Sequence, residues 1–260
     1  MISTRRSFVT GSIVSSAALV VGACSRPGTA NGTPPLASAS TGSAESAKDS
    51  TEKKHEDKRK GEEVGAVEDL MREHGVLRRS LAVYREAAAR LRKRGDVSPD
   101  ALRKTATLFR AFGEDYHERK LEEAFIFPAV KRAGGAAGAL ADVLAAQHQR
   151  GREITDYILA VTQAPKIGAN AEALAGVLDA FARMYESHAA REDTIVFPAW
   201  KKTMSDKELD EIGDKFEDIE HEQLGKDGFD DAVKQIGEVE GAFGLSDLAL
   251  LTAPPPPKTG

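Results

Sequence analysis

The chain of 260 residues contains a single cysteine, Cys24. One thiol cannot build an internal disulfide framework or a cysteine-ligated zinc or iron–sulfur site. Positive charge is not in excess. The 36 Lys and Arg stand against 41 Asp and Glu, a formal net charge of -5, which excludes a broad nucleic-acid-binding surface. Only 6% of the residues are aromatic, a share that suits helix packing better than a β-sandwich. Beyond residue 62 no segment alternates apolar and polar residues as a half-buried strand would. Six histidines is an ordinary count, so what they report lies in their placement.

Residues 1–24 have the charged-then-apolar layout of an export signal, too short and too rich in Gly and Ser for a spanning helix. Thr4-Arg5-Arg6-Ser7-Phe8-Val9 resembles the twin-arginine export motif, and Val21-Gly22-Ala23-Cys24 resembles a bacterial lipobox with Cys24 as the lipidated residue. Segment 25–61 is Ser, Thr, Gly, Ala and Pro followed by mixed charge, with almost nothing apolar to bury. It is expected to be a disordered tether of roughly 30–35 Å r.m.s. span, with His55 a solvated bystander in it. Residues 253–260, with Pro254–Pro257, form a second disordered end. The expected location is therefore the extracytoplasmic or periplasmic side of a membrane, held there by lipid at Cys24.

Between these ends the apolar residues recur at helix spacing, as in Val67, Leu70, Met71, Val76, Leu77 and Leu81. Helices are predicted from 62 to Gly95, from an N-cap at Ser98-Pro99 to Gly134, over 136–162, and from an Asn170 cap to Thr203. Ser205-Asp206-Lys207-Glu208 is a capping box for a fifth, and a sixth spans 228–242. The fold class is all-α: an up-down-up-down four-helix bundle over 62–204, with two additional C-terminal helices over 205–252 on its outside or end.

The bundle is internally duplicated. Glu122-Glu123-Ala-Phe-Ile-Phe127-Pro128-Ala-Val-Lys131 recurs as Glu192-Asp193-Thr-Ile-Val-Phe197-Pro198-Ala-Trp-Lys201. Ala111-Phe112 and Tyr116 match Ala180-Phe181 and Tyr185, and Glu73-His74 through Arg78 matches Gln147-His148 through Arg152. Two helix hairpins thus each carry a His in the first helix and a His plus acid in the second. His188 and Glu192, four apart, share a helix face. A bundle interior fed in this way is a dinuclear metal site, suited to non-heme iron, with manganese or zinc as alternatives.

The pattern resembles the hemerythrin-like, or HHE cation-binding, domain family over roughly 65–202. The resemblance is carried by Glu73-His74, Tyr116-His117-Glu118 with Glu122-Glu123 and Phe127-Pro128, Gln147-His148, and His188 with Glu192-Asp193 and Phe197-Pro198. It implies a non-heme di-iron centre with His74, His117, Glu122, His148, His188 and Glu192 as ligands. It also implies a small diatomic ligand (oxygen or nitric oxide) or peroxide as the reaction partner.

Two positions depart from the family pattern. His117 and Glu122 are five apart, about 140° around an ideal α-helix, so either a π-bulge unites them or Glu118 contributes as an added ligand. The place four residues after His148, a histidine in oxygen carriers, is Arg152, with Arg78 as its repeat mate. These arginines either orient a carboxylate or form a solvated basic face. The missing histidine argues against a simple reversible oxygen carrier. His221, on the fifth helix, is either its replacement or a surface residue. Tyr116 and Tyr185 are redox-active, hydrogen-bond donors, or core packing. Phe127-Pro128 and Phe197-Pro198 are expected to cap the apolar end of the bundle. Three functions compete: an exported di-iron protein that binds or reacts with its small ligand, a non-enzymatic module for metal storage, metal sensing or partner binding, and a peroxidase-like enzyme using the same centre. No catalytic acid–base pair is visible.

Overall fold

The computed structural model describes residues 64–259. Arg5, Arg6, Cys24 and His55, with the export signal and tether predicted around them, lie outside the described residues. Helix α1 is Ala66–Arg92. Helix α2 runs 99–133 in three continuous stretches: α-helical Pro99–Leu108, π-helical Phe109–Ile126 and α-helical Phe127–Ala133. Helix α3 is Gly135–Val161. Helix α4 runs 171–201, with a π stretch at Glu192–Val196 between Ala171–Arg191 and Phe197–Lys201. Helices α5, Asp206–Leu224, and α6, Gly228–Ala242, follow. No strand occurs among the described residues.

Local chemistry sets several helix ends. The Ser98 hydroxyl accepts from the Ala101 N–H at 3.2 Å and Pro99 supplies a first turn with no N–H to satisfy. At α5 the capping box is complete: Ser205 bonds the Glu208 N–H and the Glu208 carboxylate returns to the Ser205 N–H at 2.8 Å. Gly134 and Gly135 hold φ of 75° and 69°, so the chain reverses between α2 and α3 with Gly134 the single residue between them. Asn170 does not cap α4. It lies in a 3₁₀ turn, Gly168–Asn170, with helical φ and ψ, and its side chain makes no cap hydrogen bond.

The bundle buries a stripe from each long helix. In α1 this stripe is Leu70, His74, Leu77, Leu81, Tyr84, Ala88 and Leu91. Below the histidines the core is aromatic: Tyr84, Phe109, Phe181 and Tyr185 stack with centroids 4.7–6.4 Å apart. Helices α5 and α6 lie on the outside of the bundle. Trp200 stacks on Phe216 of α5 at 5.7 Å, Phe112 meets Phe229 of α6 at 6.4 Å, and Arg79 grips Glu240 of α6 through two bonds of 2.9 and 2.6 Å.

One core carboxylate strains this arrangement. Glu114 is fully buried. Thr155 donates to its Oε1, while Oε2 lies 3.0 Å from Arg110 Nε without hydrogen-bond alignment. Burial pushes its carboxyl up to about 7 despite Thr155 and Arg110. An acid raised in the folded state binds its proton more tightly there than when unfolded, so stability falls as pH rises from about 4.5 to about 7. A shift of that size corresponds to about 3 kcal/mol. Glu114→Gln should therefore stabilise the protein by about 1–3 kcal/mol at pH 8 and by much less at pH 4.5, checked by urea unfolding at both values.

Candidate metal centre

Four helices converge six buried side chains at one level of the bundle. His74 comes from α1, His117 and Glu122 from α2, His148 from α3, and His188 and Glu192 from α4; none is more than 3% exposed. They form two groups able to hold a metal ion, His74–His117–Glu122 and Glu122–His148–His188–Glu192, which share Glu122. The histidines are paired. His74 Nε2 lies 3.1 Å from His117 Nε2, and His148 Nε2 lies 3.0 Å from His188 Nε2.

The carboxylates join the pairs. Glu122 places Oε1 at 3.4 Å from His117 Nε2 and Oε2 at 3.2 Å from His148 Nε2. Glu192 places Oε1 at 3.0 Å from His188 Nε2 and Oε2 at 3.6 Å from His74 Nε2. Each carboxylate thus turns one oxygen to each histidine pair. All four oxygens are buried with no hydrogen-bond partner. An unsatisfied buried polar group costs about 1–3 kcal/mol, and more when charged. Four such atoms converging on imidazole nitrogens fit a metal centre that Glu122 and Glu192 would hold together with the four histidines.

The π stretches create this register. In π geometry the backbone bonds run over five residues, and the Phe127 N–H reaches the Glu122 carbonyl, as the Phe197 N–H reaches the Glu192 carbonyl. Both stretches end just before a proline. Pro128 and Pro198 lack an N–H and crowd the carbonyl four residues back, and a widened turn relieves both conflicts. In α2 the widening turns His117 and Glu122, five apart, toward the same site. Phe127 and Phe197 do not simply cap the bundle. Phe127 stacks on His148 and Phe197 on His74, each with centroids 5.3 Å apart, so each half packs on the other half's histidine.

The outer nitrogens repeat the twofold logic. His74 Nδ1 lies 2.7 Å from Asp193, and its mate His148 Nδ1 lies 2.9 Å from Glu123. Arg78 donates to Asp193 as Arg152 donates to Glu123, the latter at 2.8 Å. His117 Nδ1 lies 2.6 Å from Glu73, and its mate His188 Nδ1 lies 2.9 Å from the Gln147 amide oxygen. An acceptor at every Nδ1 keeps hydrogen there and leaves every Nε2 for the interior. Glu73, Glu123, Gln147 and Asp193 adjoin the six central residues in sequence, yet their partners lie on other helices, so the repeat marks the positions without the pairings.

The two tyrosines break the symmetry. Tyr116 donates to Glu73 at 2.7 Å, whereas Tyr185 donates to Glu118 at 2.6 Å. Glu118 does not join the six. Its oxygens accept from Tyr185 and from Arg152 at 3.2 Å, and Oε2 stays 4.0 Å from the outer nitrogen of His148. His221 is exposed and belongs to none of the groups, so it does not replace the missing histidine. Helix α5 turns Phe216, Glu217 and Glu220 inward instead.

The electrostatics are strongly polarised. Burial lowers His148, but the charge of Glu118 and bonds to Glu122 and Glu123 override it and raise the imidazole to about 10. His117 is likewise raised by Glu122 and Glu73 against burial. Burial and the charge of His148 push His188 down to about 3. Burial opposes ionisation of Glu122, yet His117 and His148 hold it well below the usual range. Burial and the charge of Glu122 push Glu192 well above it. A cavity of about 10 Å³, room for one water-sized molecule, abuts the site and is lined by His74, His117 and His188 together with Leu77, Arg78 and Tyr185.

Paired histidines and shared carboxylates inside an antiparallel four-helix bundle define a metal-binding helical bundle. The chain belongs to the hemerythrin HHE cation-binding domain family, whose model matches residues 65–200. Uncharacterised proteins of Mycobacterium bovis and Mycobacterium tuberculosis are 43% identical to it over 191 residues, covering 73% of this chain and 74% of theirs. No solved structure matches the chain significantly.

Proposed function

We propose that the protein is a non-heme di-iron protein that binds or reacts with oxygen, nitric oxide or peroxide on the outer side of a membrane. The observation carrying this reading is the pair of carboxylates, Glu122 and Glu192, each with one unsatisfied buried oxygen toward each histidine pair. His74 and His117 would hold one ion and His148 and His188 the other. Iron so held supplies electron transfer to or from a small bound molecule. The chain's own part is to orient the imidazoles through Glu73, Glu123, Gln147 and Asp193, and to limit access to a cavity of about 10 Å³ beside Leu77 and Tyr185. A cavity that small leaves no room for a large substrate. Arg152 in place of the fourth-position histidine speaks against simple reversible carriage. Metal content and the absorption spectrum test the reading against a storage or sensing module.

The envelope location rests on Arg5-Arg6 and Cys24. A twin-arginine route would let metal be chosen and inserted before export. Replacing both Arg5 and Arg6 with Lys is expected to leave the protein in the cytoplasm, checked by cell fractionation; unchanged export would rule out this route. Cys24→Ala should release an exported protein from the membrane fraction.

A further inference from the structure

The two histidine pairs differ on their outer sides by one atom type at one repeat-related position. His74 and His117 both face carboxylates, Asp193 at 2.7 Å and Glu73 at 2.6 Å. In the other pair only His148 does so directly, with Glu123 at 2.9 Å, while His188 faces the neutral amide oxygen of Gln147 at 2.9 Å. Glu73 and Gln147 each immediately precede the first-helix histidine of their half. Glu73 is held in place from its other oxygen by the Tyr116 hydroxyl at 2.7 Å.

The surrounding charges reinforce the contrast. Asp69 and Glu220 bring further carboxylate oxygens within 4.8 Å of Glu73. Around the second pair the added carboxylate is Glu118, 4.0 Å from His148 Nδ1, and Arg152 donates both to it and to Glu123. Arg78 donates to Asp193 alone of the outer acids. An imidazole that donates its outer N–H to an anion is a stronger donor toward a cation than one facing an amide, and outer partners of this kind change metal affinity 10–100-fold.

We infer that the two metal positions are unequal: the His74/His117 position binds its cation more tightly and fills first, and the Glu73/Gln147 difference sets that order. The inference rests on the dinuclear reading above and adds to it which half is the stronger.

Cobalt(II) titration of the full-length, metal-free protein, followed by cobalt absorption and chelator competition, tests it. Two loading steps separated by about 10–100-fold in affinity are expected. Glu73→Gln should weaken the first step by a similar factor and leave the second nearly unchanged. Gln147→Glu should strengthen the second and narrow the gap. Tyr116→Phe, which keeps the Glu73 charge, should move the first step much less than Glu73→Gln. Two equal steps in the wild type, an unchanged gap in both Glu73→Gln and Gln147→Glu, or a Tyr116→Phe effect as large as that of Glu73→Gln would overturn the order. Binding of fewer than two cobalt ions would instead overturn the dinuclear centre itself, and the order with it.

Discussion

Replacing His148 and His188 together by Ala is expected to cut iron uptake from about two ions per chain to at most about one, while the helical content stays close to wild type. The two residues supply both imidazole nitrogens of one half of the site, with Nε2 atoms 3.0 Å apart. Their loss leaves Glu122 Oε2 and Glu192 Oε1 with no imidazole on that side. Any ion retained would then be held by His74, His117 and Glu122, the half that keeps both of its imidazoles. The fold tolerates the change because Tyr84, Phe109 and Phe181 keep their packing on one another, although Tyr185 loses the His188 ring 5.2 Å away. The cost in stability comes from Phe127, which loses its stacking partner, and from Glu123, whose low carboxyl, about 2, is set against burial by His148 and Arg152. Elemental analysis and far-UV circular dichroism on the same sample check both halves of this expectation. An iron content unchanged from wild type would refute the site.

The second large effect falls on a glycine in the middle of a helix. Ala normally outranks Gly there by about 1 kcal/mol. At Gly151 in α3 the sign should reverse. A Cβ would sit 2.1 Å from the Tyr185 hydroxyl and 2.8 Å from Cζ, inside the contact distance of both. Tyr185 has no free direction of retreat, because its hydroxyl donates to Glu118 at 2.6 Å and its ring packs on Phe109 and Phe181. Moving it would leave a buried carboxylate oxygen unsatisfied. Gly151→Ala should therefore destabilise the protein by about 2–4 kcal/mol. Thermal unfolding should show this as a drop of roughly 5–15 °C. Tyr185→Phe removes the closest atom, so the double variant should be more stable than the sum of the single effects by at least about 1 kcal/mol. Additive effects would show that the contact with Tyr185 is not what excludes a side chain.

The helix ends at Ser98 and Ser205 were legible because their capping partners lie three residues away, at Ala101 and Glu208. Asn170 carries the same signal and fails, since a 3₁₀ turn already holds its backbone in helical geometry. The six central residues were legible from the duplication, because repeat-related histidines and acids must face a common axis. The five-residue spacing of His117 and Glu122 pointed to a widened turn, but not to an 18-residue π stretch. The outer partners were illegible as pairs. His74 and Asp193 are 119 residues apart, and no local pattern connects them. His221 misleads for a related reason: which face of α5 turns inward is decided by Phe216 against Trp200 and Phe125, not by the histidine.

The dinuclear centre is tested most directly by iron analysis with an absorption spectrum on protein purified from its own compartment. Two irons per chain with the near-ultraviolet absorption of an oxo-bridged pair is the predicted result. A single zinc per chain, or no metal with the six residues intact, would contradict it.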